Sequence, residues 1–509
     1  MRKVIDKILS FDELDLVLSK ERKQGCKIVL CHGVFDLLHS GHLFHFRSAK
    51  QSGDILVVSV TPDRFVNKGP NRPYFNEGLR LQNIAELESV DYVVLNEWST
   101  AIETIFKVKP HVYAKGADYA NSKDDITGNI KKEEAAIKEM GGKIIFTNEP
   151  SLSSSNLLNE FFPTYSDEAR KFLRDFKQKY TVADVCGVLD QLAQLKILII
   201  GEAILDRYIY CTPLAKSTKE TIIATKYKSE ENFLGGSLAI ANHVANFCKS
   251  VTLITNLGSE ENINNYVSTN LHRNIKLKNI SIPGRQTIIK QRFVEPSFLT
   301  KIFEIQDLND DPIPSNSEEK FLSLIQEQTL RHDLIIVSDY GHSFISLNIV
   351  QELMKGSQYL CVNAQTNSAN LGYNLITKYP RADYVCIDGA ELRFAAHNKY
   401  AGVEELVDIL KQKINSSHIL ISLGVNGTMM FTQEGHKYYT PIFSNKVVDR
   451  TGAGDALFAI TSPLVFLKCP MPILGLIANC VGALKVKTVC NREPVNPIPL
   501  KKFITTLLA

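Results

Sequence analysis

"LCHGVFDLLHSGHLFHFRSAK", residues 30–50, carries an apolar run into Gly33, then His39, Gly41 and His42, then an amphipathic helical pattern. It reads as a strand, a tight loop and a helix start. The first N–H groups of a helix have no partner within it, and its dipole is positive at that end, so such a junction favours a phosphate. Imidazoles placed there add donors and can stabilise charge moving onto a leaving pyrophosphate. No covalent nucleophile is needed, because an oxygen of a second phosphate can attack once both substrates are aligned.

The same strand-then-helix rhythm extends in both directions. "KIVLCH" (27–32), "DILVVSV" (54–60), "DYVVL" (91–95) and "KIIFT" (143–147) are β-branched runs separated by helical patterns, which predicts parallel strands joined by crossover helices. Residues 166–195, "SDEARKFLRDFKQKYTVADVCGVLDQLAQL", alternate polar and apolar positions and predict a helical connector rather than a Gly/Ser linker. A second series follows: "KILIIG" (196–201), "SVTLITNLG" (250–258), "LIIVSDYG" (334–341), "YLCVNAQ" (359–365), "DYVCID" (383–388) and "HILISLG" (418–424). Between 208 and 230, and at 285–304, extended patterns without intervening helices predict a small lid sheet. The expected organisation is α/β throughout, with domains at 1–165 and 196–509 joined by 166–195. A length of 509 residues requires more than one core.

Composition narrows the function classes. A net charge of +3, from 58 basic and 55 acidic residues, excludes strong general attraction to nucleic acid or to an anionic membrane, so anion binding must be local. Ten cysteines without a C-x-x-C pair, several inside apolar runs, fit reduced thiols and argue against a zinc site. The opening segment has no apolar core of the signal-peptide kind, and no apolar run is long enough to span a bilayer, so a cytoplasmic location is expected.

The block "GVFDLLHSGH" resembles the H-x-G-H signature of the nucleotidyltransferase superfamily, in its cytidylyltransferase-like branch. "NRPYFNEGLRLQNIAELESVDYVV" (71–94), "KPHVYAKGADY" (109–119) and "EPSLSSSNLLNEF" (149–161) are similar to blocks of the ADP-heptose synthase half of bifunctional heptose enzymes. The resemblance implies a Rossmann-like N-terminal domain. It implies that His39 and His42 contact nucleotide phosphates, that Lys50 and Lys68 neutralise the triphosphate, and that Arg80 reaches phosphate or sugar. Gly33, Phe35, Asp36 and Gly41 would shape the nucleotide loop, with Lys115 and Asp118 near the nucleoside. Ser153, Ser154 and Ser155 would cap a helix and bind phosphate.

In the second half "DRTGAGDALFA" (449–459) is the sharpest signal. Glycines at 452 and 454 let backbone amides approach an anion at a helix start, and Asp455 lies where it can accept a hydroxyl proton. With "GEAILDRY" (201–208) and "FLGGSLAIANHVANF" (233–247), the trio resembles the ribokinase-like (PfkB) carbohydrate kinases. That implies a C-terminal ribokinase-like α/β kinase with a small β lid. Asp455 would be the general base, and the amides of Gly452, Ala453 and Gly454 the anion hole. Asp206, Gly235 and Gly236 would hold sugar hydroxyls with Asn242 nearby, and Lys290 and Arg292 could face a substrate phosphate.

Two departures from the family pattern stand out. "DGAE" replaces N-x-x-E, so that Asp388 joins Glu391 as a magnesium candidate, and "VNAQTNSANLGYNLITKY" (362–379) replaces a short D-P-K-G-like segment. The domain order is also the reverse of the familiar heptose enzyme. The expectation is a bifunctional kinase and nucleotidyltransferase of nucleotide-sugar synthesis, using Mg²⁺, ATP and a second nucleoside triphosphate, ATP or CTP, on sugar phosphates. It is expected to form a homo-oligomer, a dimer, through the lid. Two alternatives stay open: a CTP-dependent transferase acting on a polyol or sugar phosphate, and a kinase half that only binds sugar or dimerises.

Overall fold

A computed structural model describes residues 4–116, 128–147, 154–161, 165–216, 220, 222–356 and 358–509. The chain forms two compact units, Met1–Ser166 with Lys501–Ala509, and Asp167–Leu500.

The first unit is built on six parallel strands: β1 (Ile8–Leu9), β2 (Ile28–Gly33), β3 (Ile55–Val60), β4 (Tyr92–Leu95), β5 (Val112–Gly116) and β6 (Lys143–Thr147). Their order is β1-β4-β3-β2-β5-β6. "ILVVSV" of β3 is buried along its whole length, as expected of a parallel strand covered on both faces, and this is why the run is apolar without alternation. One apolar cluster lies on each side, around Leu30, Val57 and Tyr113 on one face and around Val29, Val58 and Phe46 on the other. The chain leaves β2 toward β3 and β4, then returns to the opposite side of β2 as β5. The carboxyl ends of β2 and β5 therefore flank a switch point, where open parallel sheets bind ligands.

The second unit holds a nine-stranded sheet and a four-stranded one. The large sheet runs β11 (Ile275–Asn279), β10 (Ser250–Thr255), β7 (Lys196–Gly201), β14 (Leu334–Asp339), β15 (Tyr359–Ala364), β16 (Arg381–Asp388), β17 (Asn415–Ser422), β18 (Thr428–Thr432) and β19 (Lys437–Thr440). Its first seven members are parallel, and β18 and β19 close it as an antiparallel edge. The chain reverses direction across the sheet between β7 and β14, the second switch point. The small sheet is ordered β13 (Thr300–Asp307), β12 (Ile288–Glu295), β8 (Ala203–Lys216) and β9 (Ile223–Gly236). It is the lid expected from the extended patterns. Residues 166–195 include the helices Asp167–Lys177 and Val182–Gln191, and Phe172 of the first packs its ring against Tyr438 and Phe443. Among the described residues no helix is long and apolar enough to cross a membrane.

Candidate functional site

Beyond β2, Phe35 takes a positive φ of 51° and its ring folds back over Gly33, where a Cβ would lie 2.9 Å from it. That ring also packs edge-on to His42, with centroids 5.5 Å apart, and against Phe46. His39 is then the N-cap of the helix Ser40–Lys50, in extended conformation, with Gly41 buried in the first turn. The two imidazoles lie side by side, 4.0 Å between centroids, and the Nδ1 of each is buried without a hydrogen-bond partner. Burial, then the proximity of His39 and Lys68, drive the His42 pKa down to about 3. Burial and Lys68 lower that of His39 as well. Burial first, and nearby positive charge second, hold both rings neutral, a shift that an arriving polyanion would oppose.

The strand and helix on either side of this turn are braced by further histidines, His32 on β2 and His45 on the helix itself. His45 Nδ1 lies 2.6 Å from Thr147 Oγ1 at the end of β6. His32, on β2, contacts Ser59 Oγ at 3.2 Å and Thr61 Oγ1 at 3.3 Å. Burial followed by Lys115 depresses His45 to about 4 and His32 to about 3. Lys115, at the end of β5, pairs with buried Glu133 at 3.0 Å, and Tyr113 donates to that same carboxylate. Alternation of histidine with apolar residues in "HLFHF" and "CHG" was the available signal for these inner histidines.

Other expected residues meet different fates. Asp36 is buried and accepts the N–H groups of Tyr74 (2.8 Å) and Phe75 (2.9 Å), which fixes the loop beneath the histidines. Lys68 is half-buried; burial lowers its pKa, Asp36 opposes the shift, and Arg72, Lys502 and Arg80 add to it. Ser154 starts the helix Ser154–Phe161 and donates to the Leu37 carbonyl at 3.0 Å, and Ser155 beside it is buried. Asp118 and Ser153 lie outside the described residues.

Two expectations are corrected. Lys50 sits at the opposite end of its helix, about 12 Å along the axis from His42, where its ammonium binds Asp91 at 2.5 Å. Arg80 is fully buried and donates to the carbonyls of Val34 (2.5 Å), Thr61 (2.8 Å) and Phe75 (3.0 Å) and to Asp63 (2.6 Å). It staples the loop after β2 to the loop after β3, with four of its five N–H donors given to protein acceptors.

In the second unit Gly452 caps the helix Ala453–Phe466 with φ +79°, where a Cβ would strike Asn491 Oδ1 at 2.1 Å. Only glycine fits that turn. Asp455 follows in the first helical turn, and its Oδ1 accepts from Tyr340 (3.0 Å) and Gln365 (2.8 Å). Burial raises its pKa despite those donors and Lys290; Asp206 adds to the rise. A cavity of about 710 Å³ opens along the same helix, lined by Gly424, Gly427, Asn445, Gly454, Leu457 and Asn479 among others.

From the lid, Asp206 is bonded to Arg292, whose Nε reaches Glu304 at 2.7 Å. Gly235 leaves room for that carboxylate, since a Cβ would lie 2.3 Å from Asp206 Oδ2, and Gly236 turns into the next helix at φ +57°. Lys290 is buried beside Asp206 and Asp455 with no hydrogen bond from its ammonium to the described residues. Behind them Glu202, at the end of β7, accepts the N–H groups of Tyr340 (3.0 Å) and His342 (3.1 Å). Burial and Asp339 push it up to about 7.

Asn242 is corrected: its amide donates to Asn270 and accepts from His272, so it secures a neighbouring loop and is not directed to the sugar. The expected magnesium pair forms a capping box. Asp388 caps the helix Gly389–Ala396, accepting from Ala390 and Glu391 at 2.8 Å each, and Glu391 accepts in return from the Asp388 N–H at 2.8 Å. Burial, then Asp388, raise Glu391 to about 8. The capping bonds use one oxygen of each carboxylate, Asp388 Oδ1 and Glu391 Oε2.

The geometry agrees with comparisons against known proteins. A cytidylyltransferase-like family model matches residues 30–160, and a pfkB family carbohydrate kinase model matches residues 194–461. "Bifunctional protein HldE" of Methylobacillus flagellatus is 39% identical over 158 residues, 30% of this chain and 31% of that protein. The protein of the same name from Aliarcobacter butzleri is 40% identical over 138 residues, 27% of this chain and 29% of its own. This chain thus spans about a third of the length of the curated relatives it matches. Phosphofructokinase-2 from Escherichia coli in complex with substrates and products superposes with a TM-score of 0.50 at 12% identity, covering 62% of this chain and 99% of that one, a likeness of fold.

Proposed function

The chain belongs to the pfkB family of carbohydrate kinases through residues 194–461, and from that footing we propose that it is a bifunctional enzyme of nucleotide-sugar synthesis. The second unit phosphorylates a sugar or sugar phosphate with ATP, and the first joins a sugar 1-phosphate to a nucleoside triphosphate, releasing pyrophosphate. An ADP-heptose-like product follows from the likeness of the first unit to "Bifunctional protein HldE" and of residues 71–94, 109–119 and 149–161 to heptose enzymes.

In the kinase reaction Asp455 takes the proton of the sugar hydroxyl as its oxygen attacks the γ-phosphorus, and ADP departs. The amides at Gly452, Ala453 and Gly454 face the transferring phosphoryl group, the cavity beside Gly454 takes the nucleoside, and Lys290 receives an anionic group of the sugar substrate. Mg²⁺ would come with ATP as its counter-ion and neutralise phosphate charge, and Asp388 and Glu391 would be the carboxylates available to it. In the transferase reaction the sugar phosphate oxygen attacks the α-phosphorus while His39, His42 and Lys68 stabilise charge on the departing pyrophosphate. Asp36 and Arg80 act by holding that loop in shape.

One observation carries this reading. Each unit sets a helix start beside the carboxyl ends of its own parallel strands: His39 and His42 follow β2 with their Nδ1 atoms unpartnered among the described residues, and Gly452 with Asp455 meets Tyr340 and Gln365 just past β14 and β15. The exposed apolar residues of the lid, Ile223, Tyr227, Phe303 and Ile305, support a homodimer formed through that sheet. Mass spectrometry of products after incubation with candidate heptose phosphates and ATP or CTP tests the whole. A phosphorylated sugar and an NDP-sugar are expected, and absence of both across the panel would overturn the reading; an NDP-sugar formed only with CTP would reassign the nucleotide.

A further inference from the structure

Lys485 ends the helix Met471–Lys485 and is 2% exposed, the most deeply buried lysine among the described residues. Its ammonium donates to two neutral oxygens, the carbonyl of Cys490 and, at 3.3 Å, the hydroxyl of Thr488. That hydroxyl in turn donates to the Lys485 carbonyl at 2.9 Å. Residues 485–490 are thereby drawn into a closed loop around a cation. Burying a charge on neutral acceptors is destabilising, which sets Lys485 apart from a lysine that merely fills space.

This loop backs the turn that carries Gly452. The Val486 carbonyl accepts the N–H groups of Val448 at 2.7 Å and of Asp449 at 3.2 Å. The Cys490 N–H donates to Asp449 Oδ2 at 2.9 Å, and Asp449 Oδ1 accepts the Thr451 N–H at 3.0 Å. Asn491 lies against Gly452 itself, its Oδ1 filling the place a Cβ would need. Cys490 is buried with φ 43°, a left-handed conformation that a non-glycine residue holds only where its surroundings impose it. The ammonium bound to its carbonyl is one such constraint. Removing that donor would leave the carbonyl buried without it and loosen the surface on which the turn rests.

We propose that Lys485 is a positioning residue of the kinase reaction, its ammonium serving as an internal cation that fixes the 485–491 loop and, through it, the amides of Gly452, Ala453 and Gly454. This rests on the kinase reading above. The tests use the full chain with Lys485→Ala, Lys485→Met and Thr488→Val, circular dichroism reporting that each is folded. Lys485→Ala is expected to lose about 10- to 100-fold in kcat for sugar-dependent ADP formation, with the KM for sugar within about three-fold of wild type. Ammonium or methylammonium ions, entering the space left by the side chain, should recover much of the lost rate. In Lys485→Met, where an apolar side chain occupies that space, they should recover none. Thr488→Val removes one of the two acceptors at a half-buried position and should lose about three-fold in kcat.

Hydrogen exchange of the peptide 448–458, read by mass spectrometry, follows the turn without turnover. It should be faster in Lys485→Ala than in the wild-type chain and slowed again by ammonium. If exchange behaves so while the wild-type chain phosphorylates no sugar, the kinase reading fails and the internal cation stands. Wild-type kcat in folded Lys485→Ala or Lys485→Met overturns the inference, as does a lowered kcat in Lys485→Ala that neither ion raises, or unchanged exchange in a chain without kinase activity. If neither lysine variant folds, wild-type kcat and exchange in Thr488→Val overturn it.

Discussion

Gln365 donates its Nε2 hydrogen to Asp455 Oδ1 across 2.8 Å. The donor stands just past β15, in the segment where the family pattern would place a D-P-K-G-like run, and it sets a neutral amide beside the proposed base. A neutral donor steadies the carboxylate without cancelling its charge. Asp455 consequently sits above the ordinary carboxylate range, because burial and Asp206 outweigh Tyr340, Gln365 and Lys290.

The base works only when ionised, so the kinase rate should fall as pH drops through this raised pKa. Gln365→Leu removes a hydrogen bond that favours the ionised form, and the acid limb of kcat/KM against pH should move to higher pH. Asp455→Asn should lower sugar-dependent ADP formation by roughly 10²–10⁴-fold. Retention of wild-type turnover in Asp455→Asn would remove the kinase mechanism.

His42, depressed to about 3, is neutral in the free protein at pH 7. A triphosphate brought against it raises that pKa, so binding should take up protons near pH 6–7. Calorimetry in buffers of different ionisation enthalpy reads this uptake directly. His39→Ala with His42→Ala should abolish the uptake and cut pyrophosphate release by about 10²-fold or more.

Arg80 and Lys50, equivalent as cations in the sequence, should behave in opposite ways. Arg80→Met leaves three backbone carbonyls and Asp63 without their donor and should cost about 3 kcal/mol of stability, read as a lowered urea midpoint. Lys50→Ala loses one partly exposed ion pair with Asp91 and should leave the KM for nucleotide within two-fold.

Light scattering should give a dimer mass for the wild-type chain. Tyr227→Asp with Ile305→Asp, which sets charge on the exposed lid face, should shift it to a monomer while far-UV circular dichroism stays unchanged. A monomeric wild type would dispose of the lid interface.

The fold was legible where apolar runs were uniform. β2, β3, β7 and β14 announce themselves because strands buried on both faces leave no polar positions to blur the signal. β5 was harder to see as a strand, since "VYAKG" is short and ends in a lysine and a glycine. His39, His42 and Asp455 were legible as helix-start residues, because glycines between a strand run and a helical pattern mark such a start. Lys50, Arg80 and Asn242 could not, because what an amide or cation does depends on which groups three-dimensional packing brings to it. Asp388 and Glu391 show the same ambiguity: D-x-x-E is equally a metal motif and a capping box, and here the backbone has both carboxylates.

The return of residues 501–509 to the first unit, where Phe503 lays its ring on Gly69, also bears on biosynthesis. The strands of the first unit leave the ribosome early, but the loop of Lys68 and Arg72 cannot receive its clamp until the entire second unit has been translated. A nascent chain would therefore hold a nearly complete sheet with an unfinished mouth, and the half made first would mature last.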